Sequence, residues 1–585
     1  MVHDRPSLSG NLTSAWTADV LRGENAPVYP RPRLVRPAWT CLDGDWDYAI
    51  TPIQQDGFPD TWAGTIRVPF APEASLSGVG RHLEPDEALW YHRPLRVDAV
   101  PGHRTFLRFE AVDYACAVWI NGQAVGRHTG GNLPFGFDIT DALDPWDQTL
   151  IVRVTDATDA AGTYQTHGKQ ALAPTGIWYT RVSGIWQSVW LESVPAAHIG
   201  DLAVTGSPEG DLHLQLTVAG PDAGEVRVRV KAGEHVVAEG AGPPAGLKVR
   251  IPDLRPWSPE DPFLYDLDIL YGEDRVGSYC GLRRLGMAAD ASGHRRFTLN
   301  GEPFFHWGTL DQGWWPDGLL TPPTDEALLS DIRFLKAAGF NTIRKHIKVE
   351  PRRFYYHCDR LGMLVWQDQP SQHRQDDSRP AWVRLNPDPP EATWPEPAHR
   401  QFLREVEQLV QHLGSHPCVV QWVPFNEAWG QHATAEVAAH LRALDPTRPV
   451  NVASGGNWFP AGDIVDAHAY PDPDFPGLDD PRFVGYVKVV GEFGGHGLRL
   501  DDHLWNPDMR NWGYGDLPQT LDEWKERFAA SIDRLIDLKQ QGIAAGIYTQ
   551  TTDVEGEING LLAYDRTEKV DTSWLAEQSR RLLEA

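Results

Sequence analysis

The sequence predicts a multidomain β plus α/β chain: an N-terminal jelly-roll-like β-sandwich, an immunoglobulin-like β-sandwich and a C-terminal (β/α)8 barrel. Three observations carry this. Short runs of alternating apolar and polar residues fill the first half, strand and helix patterns alternate from about Phe297 onward, and 585 residues suffice for three domains.

The first block, residues 1–195, contains RTFLRFEAV, ACAVWINGQAVGRH, QTLIVRVTD and QSVWLESV, separated by Gly, Asn, Asp and Pro. Period-two alternation with turn residues at these intervals reads as an antiparallel sandwich. Asn121-Gly122 marks a hairpin, because both residues tolerate positive φ. The segment Asn132–Asp138, NLPFGFD, reads as an exposed loop that this sandwich lends to the barrel mouth. A second block, residues 196–288, carries DLHLQLTVAG, EVRVRVKAG, LKVRIPD and FLYDLDILYG at strand period, in a span suited to an immunoglobulin-like fold.

In residues 289–585 the pattern changes. Thr324 is placed to cap a helix that stops at Gly339. Strands are predicted at FFHWG, NTIRKH, MLVWQD, CVVQWVPFNE, RPVNVAS, DIVDAHAY, VGYVKVVGEF and AAGIYTQ, with helical segments among and after them. Eight such alternations imply a closed barrel, whose chemistry gathers at the C-terminal ends of the strands. The Pro- and Asp-rich run from Gln369 to Pro397 reads as a long loop walling the mouth.

Two glutamates stand out. Glu427 follows the apolar run Cys418–Phe425 and Glu492 follows Val484–Val490, so each sits where a buried strand meets a loop. A lone glutamate there commonly caps a helix or pairs with arginine. Here Glu427 lies between Asn426 and Trp429, and Glu492 precedes Phe493-Gly494-Gly495, whose glycines admit close approach of a ligand. Two carboxyl groups across one pocket are the minimum equipment for glycoside hydrolysis, one protonated and one ionised.

Composition narrows the classes. With 53 Lys and Arg against 80 Asp and Glu, the formal charge of −27 disfavours nucleic acid and anionic membranes. MVHDRPSLSG lacks the pattern of a secretory leader and no stretch is long and apolar enough to span a bilayer, so a cytoplasmic protein is expected. Five cysteines without CxxC spacing read as reduced core thiols, and 24 tryptophans suit both core filling and stacking on sugars. Self-association into a homo-oligomer is left open.

The order of two sandwiches and a barrel with NE and GEF glutamates resembles glycoside hydrolase family 2, whose members include β-galactosidases, β-glucuronidases and β-mannosidases, and this chain reads as a divergent member. The most specific local support is NTIRKHIKVEPRRFYYHCDRLGMLVWQDQP. The resemblance implies Glu427 as acid/base, Glu492 as nucleophile, Asn426 on the sugar 2-hydroxyl, Arg344 steering the nucleophile, and a retaining outcome. His468 and Tyr470, at the end of strand six, would face the nucleophile and sugar, or be bonded structurally. Trp366, Gln367 and Asp368 on strand three, and His306 and Trp307 on strand one, are further candidates for the sugar, beside Trp429.

The eighth strand departs from better-known members, with Tyr548, Thr549 and Gln550 where a tryptophan-rich end is usual. The resemblance implies a retaining exo-glycosidase of β-galactosidase-like type acting on a carbohydrate substrate, while the loss of a flat stacking surface on strand eight makes a furanoside substrate a live alternative. A β-D-galactofuranosidase or α-L-arabinofuranosidase is the alternative, a non-catalytic carbohydrate-binding protein is the alternative of another class, and transglycosylation is not separable from hydrolysis. The Asn-x-Lys element of β-glucuronidases is not found, Lys345 being the only obvious lysine near a strand end, so glucuronide specificity is disfavoured. Asp368, Glu350 and His432 form no recognisable ligand set, so no cofactor and no essential metal are expected.

Overall fold

A computed structural model describes residues 12–585, apart from 25, 98–99, 145–146, 161 and 372–378. The first sandwich sets a six-stranded antiparallel sheet against a four-stranded one. Neighbours in the larger sheet are, in order, Gly64–Val68, Gly44–Pro52, Glu87–Leu95, Gln148–Thr155, Ala115–Ile120 and Gln123–Thr129. The smaller runs Trp39–Cys41, Val189–Pro195, His103–Phe109 and Phe135–Asp138. Alternation decides which face is buried: along His103–Phe109 it is Thr105, Leu107 and Phe109 that point inward. Leu107 and Phe109 meet Trp46, Ile66, Tyr91 and Val118 in one core. The Asn121-Gly122 hairpin forms with both residues left-handed, at φ 51° and 77°.

The second sandwich pairs a three-stranded sheet, His198–Gly206, Asp211–Ala219 and Ala245–Arg250, with a four-stranded one, His235–Gly242, Val226–Ala232, Tyr265–Tyr271 and Asp274–Cys280. A small antiparallel sheet, Leu285–Ala289, Arg295–Leu299 and Glu302–Pro303, then covers the N-terminal end of the barrel. Arg296 donates there to the carbonyl of Ile543, at the start of the eighth barrel strand.

The barrel strands are His306–Asp311, Thr342–Lys345, Leu364–Asp368, Val419–Val423, the segment 450–454, Ile464–Ala469, Val487–Gly494 and Ile543–Thr549. Seven form one parallel sheet in the order four, three, two, one, eight, seven, six. The expected fifth strand is held differently. It makes isolated parallel bridges to the fourth, Trp422 with Val450 and Asn426 with Ser454. Toward the sixth it closes through one backbone bond, from the Asp463 N–H to the Val450 carbonyl, and otherwise through side chains, Asp466 accepting from Asn451 and Ser454 and Asp463 from the Val450 N–H. Carboxylates thus take the donors that a strand neighbour would otherwise satisfy. Helices Asp325–Ala337, Arg352–Leu361, Glu396–Leu413, Thr434–Leu444, Leu521–Gln540 and Thr572–Glu584 cover the outside. The first begins as read from sequence, with Thr324 accepting from the Ala327 N–H.

The expectation for Asn132–Asp138 is met only in its first half: 132–134 is a loop whose Leu133 packs into the barrel's core. Phe135–Asp138 is a strand paired with His103–Phe109, so its backbone is committed to the sandwich. The segment that reaches the barrel mouth is 163–187. There Thr166 bonds Glu405, the Thr180 N–H bonds Glu555 at 2.7 Å, Tyr179 bonds Glu557 and Gln187 bonds the Val349 carbonyl. Across the mouth, the loop after strand three is fastened to the loop after strand five. Asn457 accepts from the N–H groups of Val383 and Arg384 and donates to the carbonyls of Ala381 and Pro390. Among the described residues no helix is long and apolar enough to cross a membrane. All five cysteines are free; Cys41 is half-buried and the others are buried.

Candidate active site

After strand four the chain turns sharply, with Glu427 at φ 47° and Ala428 at φ 63°. Two successive non-glycine residues in the left-handed region store strain of about 1–3 kcal/mol each, the kind of cost that clusters at functional sites. Hydrogen bonds from Glu427 N–H to the Ser454 carbonyl and from Trp429 N–H to the Asn426 carbonyl hold the turn. Its effect is to aim the Glu427 side chain across the mouth toward strand six.

Glu492 lies within strand seven, whose last residue is Gly494. Its Oε1 accepts from Arg344 at 2.9 Å and its Oε2 from Tyr470 at 2.6 Å. Burial pushes this carboxyl up, but His468, Arg344 and Lys169 outweigh burial, with help from the Tyr470 hydroxyl, and hold it below the ordinary carboxylate value. Gly491 just before it has to be glycine, since a Cβ would lie 2.2 Å from Asp466 Oδ2.

Arg344, fully buried on strand two, organises the floor. Its guanidinium forks onto Asp368 at 2.8 and 3.2 Å, and donates to Asn426 Oδ1 at 2.7 Å, to the Gly491 carbonyl at 3.2 Å and to Glu492. A guanidinium only donates, so it fixes the Asn426 oxygen toward itself and turns the amide nitrogen the other way. That Nδ2 is buried without a partner. Asn426 thus offers a donor to a bound molecule.

His468 bridges the two glutamates, with Nδ1 2.9 Å from Glu427 and 3.3 Å from Glu492. The Ser454 hydroxyl is given to Asp466 at 2.5 Å, and Asp466 also accepts from Asn451 and the Gly491 N–H. Ser454 Oγ meets His468 Nε2 at 2.9 Å, and the Arg344 guanidinium lies 3.4 Å from the same nitrogen. A proton lies between Nδ1 and Glu427. Burial disfavours a charged ring, yet Glu492, the bond to Glu427 and Asp466 raise its pKa above the ordinary histidine value. Gly455 makes room, for a Cβ there would sit 2.2 Å from His468 Cγ.

Tyr470 has one hydrogen and gives it to Glu492, so Thr549 must donate to the Tyr470 oxygen at 2.7 Å. The ring stacks on Tyr514 at 3.7 Å. Trp429 lies at the mouth against Trp178 of the first sandwich, its indole N–H buried and unpartnered.

Not every expected residue reaches this centre. Asp368 is saturated by Arg344 and His346, and burial, only partly offset by Arg344, pushes its carboxyl up to about 6. It supports the floor by holding the Arg344 guanidinium. Gln550 accepts from Gln312 and donates to Asn559, forming part of a wall. His306 and Trp366 lie elsewhere. Strand one runs on to Asp311, which leaves His306 at its N-terminal end, stacked on Phe297 at 4.3 Å and accepting from the Trp366 indole at 3.0 Å. Burial pushes His306 down to about 3, so this pair is a neutral core contact. Trp307 likewise faces outward, to Ser579 and Phe340. Ser454, Asp466, His346, Tyr514 and Lys169 were not anticipated. Ser454 closes the RPVNVAS segment, a strand-end signal that was available; Lys169 and Tyr514 sit in loops that carry none.

Among the described residues two trios of side chains lie close enough to share an ion, Glu427–His468–Glu492 and Asp359–His416–Cys418. In the second, Asp359 is already taken by Tyr279, His416 and the Cys418 N–H. In the first, the mutual distance is the chemically telling quantity: the contributing atoms of Glu427, His468 and Glu492 all lie within 4.8 Å of one another.

Comparison with known proteins agrees with this arrangement. Residues 81–195 match the family model "Glycosyl hydrolases family 2, sugar binding domain" and residues 323–480 match "Glycosyl hydrolases family 2, TIM barrel domain", the latter ending before Glu492. The β-glucuronidase of Canis lupus familiaris is 26% identical over 515 residues, 78% of this chain and 75% of that protein. The β-galactosidase of Streptococcus thermophilus is 26% identical over 385 residues, 63% of this chain and 36% of that protein. Among solved structures, a β-glucuronidase from an uncultured Clostridium species superposes with a TM-score of 0.74 at 20% identity, covering 95% of this chain and 100% of that one, a likeness of fold. With both family models on one chain, in the order its domains run, the chain belongs to glycoside hydrolase family 2 and is a glycoside hydrolase.

Proposed function

We propose that this enzyme is a retaining exo-glycosidase in which Glu492 is the nucleophile and Glu427 the acid/base. The observation that carries the reading is the spacing of the two carboxylates, whose nearest oxygens lie within 4.8 Å. Retaining pairs stand about 5 to 5.5 Å apart, whereas inverting pairs need about 6.5 to 9.5 Å to admit a water. The division of labour follows from the partners. Glu492, held ionised by Arg344 and Tyr470, is suited to attack. Glu427 shares a proton with His468 and is suited to give one.

In the first step a Glu492 oxygen bonds to the anomeric carbon as the glycosidic C–O bond breaks, and Glu427 passes its proton to the leaving oxygen. In the second, Glu427 takes a proton from water, the water oxygen bonds to the anomeric carbon, and the ester to Glu492 breaks, restoring both carboxyls. Asn426 Nδ2, turned outward by Arg344, donates to the sugar 2-hydroxyl. Exo action is supported by enclosure: the side chains of Glu427 and Glu492 are only 12% and 7% exposed under the 163–187 segment and the loop pinned by Asn457.

The relatives' names support a β-linked galactose- or glucuronic-acid-type sugar over the furanoside alternative. The test is the anomer first released, followed by proton NMR on a panel of 4-nitrophenyl glycosides including galactopyranoside, galactofuranoside, mannopyranoside, glucuronide and arabinosides. Initial β-anomer from a β-glycoside is expected; initial α-anomer would sink the retaining assignment.

A further inference from the structure

We propose that Lys169, supplied by the first sandwich, is a specificity-determining residue that reads a negatively charged substituent, a carboxylate or a sulfate, on the substrate held at the Glu427–Glu492 site. This rests on the glycosidase reading above and deepens it.

Lys169 is 6% exposed. Its backbone is fixed by the Tyr179 N–H on its carbonyl, and the preceding Gly168 is pressed so closely onto the rim after strand two that a Cβ would lie 2.7 Å from the Ile347 carbonyl oxygen. The ammonium lies 5.8 Å from the centre of the Trp429 ring and 5.9 Å from that of Tyr179. Among the described residues no carboxylate lies within 4.0 Å of it.

The other buried lysines are built differently. Lys345 is paired with Asp311 and Glu350, Lys348 with Glu350 and Lys569 with Asp553. A buried ammonium without a counter-charge is costly, and facing aromatic rings offset only part of that cost. Of these four, Lys169 alone borders the catalytic pocket without a carboxylate at contact distance, close enough for its charge to help hold Glu492 ionised.

The chemistry of the neighbours names the ligand class. The Trp429 indole N–H is buried and unpartnered beside Lys169, and Arg379 adds a guanidinium 5.7 Å from the same ring. Ammonium, indole and guanidinium only donate. A sugar hydroxyl donates as well as accepts, whereas a carboxylate or sulfate only accepts and brings the missing charge. Lys345, at a barrel strand end, is already committed to Asp311 and Glu350, whereas Lys169 comes from another domain.

The test compares kcat/KM for 4-nitrophenyl β-D-glucuronide, 4-nitrophenyl β-D-galactoside 6-sulfate and 4-nitrophenyl β-D-galactoside in the wild type, Lys169→Met and Lys169→Arg. The wild type is expected to favour one anionic glycoside, and whichever it favours tells carboxylate from sulfate. Lys169→Met should lower the anionic-to-neutral ratio by about 10- to 100-fold, the loss of one charge-assisted hydrogen bond, and Lys169→Arg should restore part of it. An unchanged ratio in Lys169→Met, or a wild type that prefers the uncharged galactoside, would overturn the proposal. Calorimetric binding of glucuronate, galactose 6-sulfate and galactose to the Glu492→Gln variant provides a readout independent of turnover and of the folding of Lys169→Met. Preferential, salt-sensitive binding of an anionic sugar supports the proposal and equal binding of all three refutes it. A wild type silent on every glycoside while that preference persists would sink the glycosidase reading and not the role of Lys169.

Discussion

Replacing Tyr470 by phenylalanine removes one oxygen and little else, because the half-buried ring stays stacked on Tyr514 at the pocket edge. The lost group is the shortest hydrogen bond to the nucleophile, 2.6 Å to Glu492 Oε2. A hydrogen bond to a charged group contributes about 1.5–3 kcal/mol. Since it favours only the ionised carboxylate, its loss makes protonation easier by that amount, and each pH unit corresponds to about 1.4 kcal/mol. The nucleophile's value is depressed in the native enzyme, so its activity should persist below the ordinary carboxylate range and fall only as Glu492 is protonated. In Tyr470→Phe the acid limb of the kcat/KM profile should therefore move up by about one to two pH units. Arg344 and His468 still face the carboxylate, which keeps the move from being larger. Initial rates across pH 3 to 9, with folding followed by circular dichroism, provide the assay. An acid limb that stays where it was, with the protein folded, would refute the claim that Tyr470 holds Glu492 ionised.

Other outcomes follow from the same geometry. Glu427→Ala should lose about 10²- to 10⁴-fold on phenyl glycosides but little on 2,4-dinitrophenyl glycosides, with azide restoring turnover as a β-glycosyl azide; rescue giving the α-azide would contradict the assigned face. His306→Leu should keep kcat/KM within about threefold while costing about 1–3 kcal/mol in denaturant unfolding, because it strands the buried Trp366 indole far from the glutamates; a large loss of activity would return His306 to the sugar site. Glu192 is buried, which raises its pKa, but Arg31, Arg108 and Arg36 with Tyr29 outweigh burial and hold it at about 2 instead of the ordinary 4.5. A depressed carboxylate stabilises above its unfolded value and loses that contribution as pH falls toward 2. Glu192→Gln should therefore cost about 3 kcal/mol at pH 7 and progressively less from pH 4.5 to 2; a cost independent of pH would place its role in packing alone.

Much of the architecture was legible because it rests on local patterns. Alternation fixed the inward residues of His103–Phe109, and the Asn121-Gly122 turn needed only its two residues. The place of Glu427 and Glu492, the glutamates proposed as catalytic, at apolar strand ends was legible, as was that of Arg344 from the surrounding motif. What depended on contacts between distant segments was not legible. The fifth strand is tied by the carboxylates of Asp463 and Asp466, which no periodicity shows. Strand one was placed three residues short, which brought His306 to the wrong end of the barrel. Glu427 adopts a left-handed conformation that a glutamate does not advertise, and Lys169 reaches the pocket from a sandwich loop with no pattern of its own. Asp368, placed at a strand end, is bonded to Arg344, because a buried guanidinium with five donors needs a carboxylate partner.

The central claim, that Glu492 forms a covalent bond to the sugar, is tested most directly by trapping. The enzyme is incubated with the 2-deoxy-2-fluoro glycosyl fluoride of whichever sugar it turns over, and the intact mass and the labelled peptide are determined. A single added glycosyl mass on the peptide containing VVGEFGG, at Glu492 and absent from Glu492→Gln, is the predicted result. Label on Glu427, or inactivation with no covalent adduct, would contradict it.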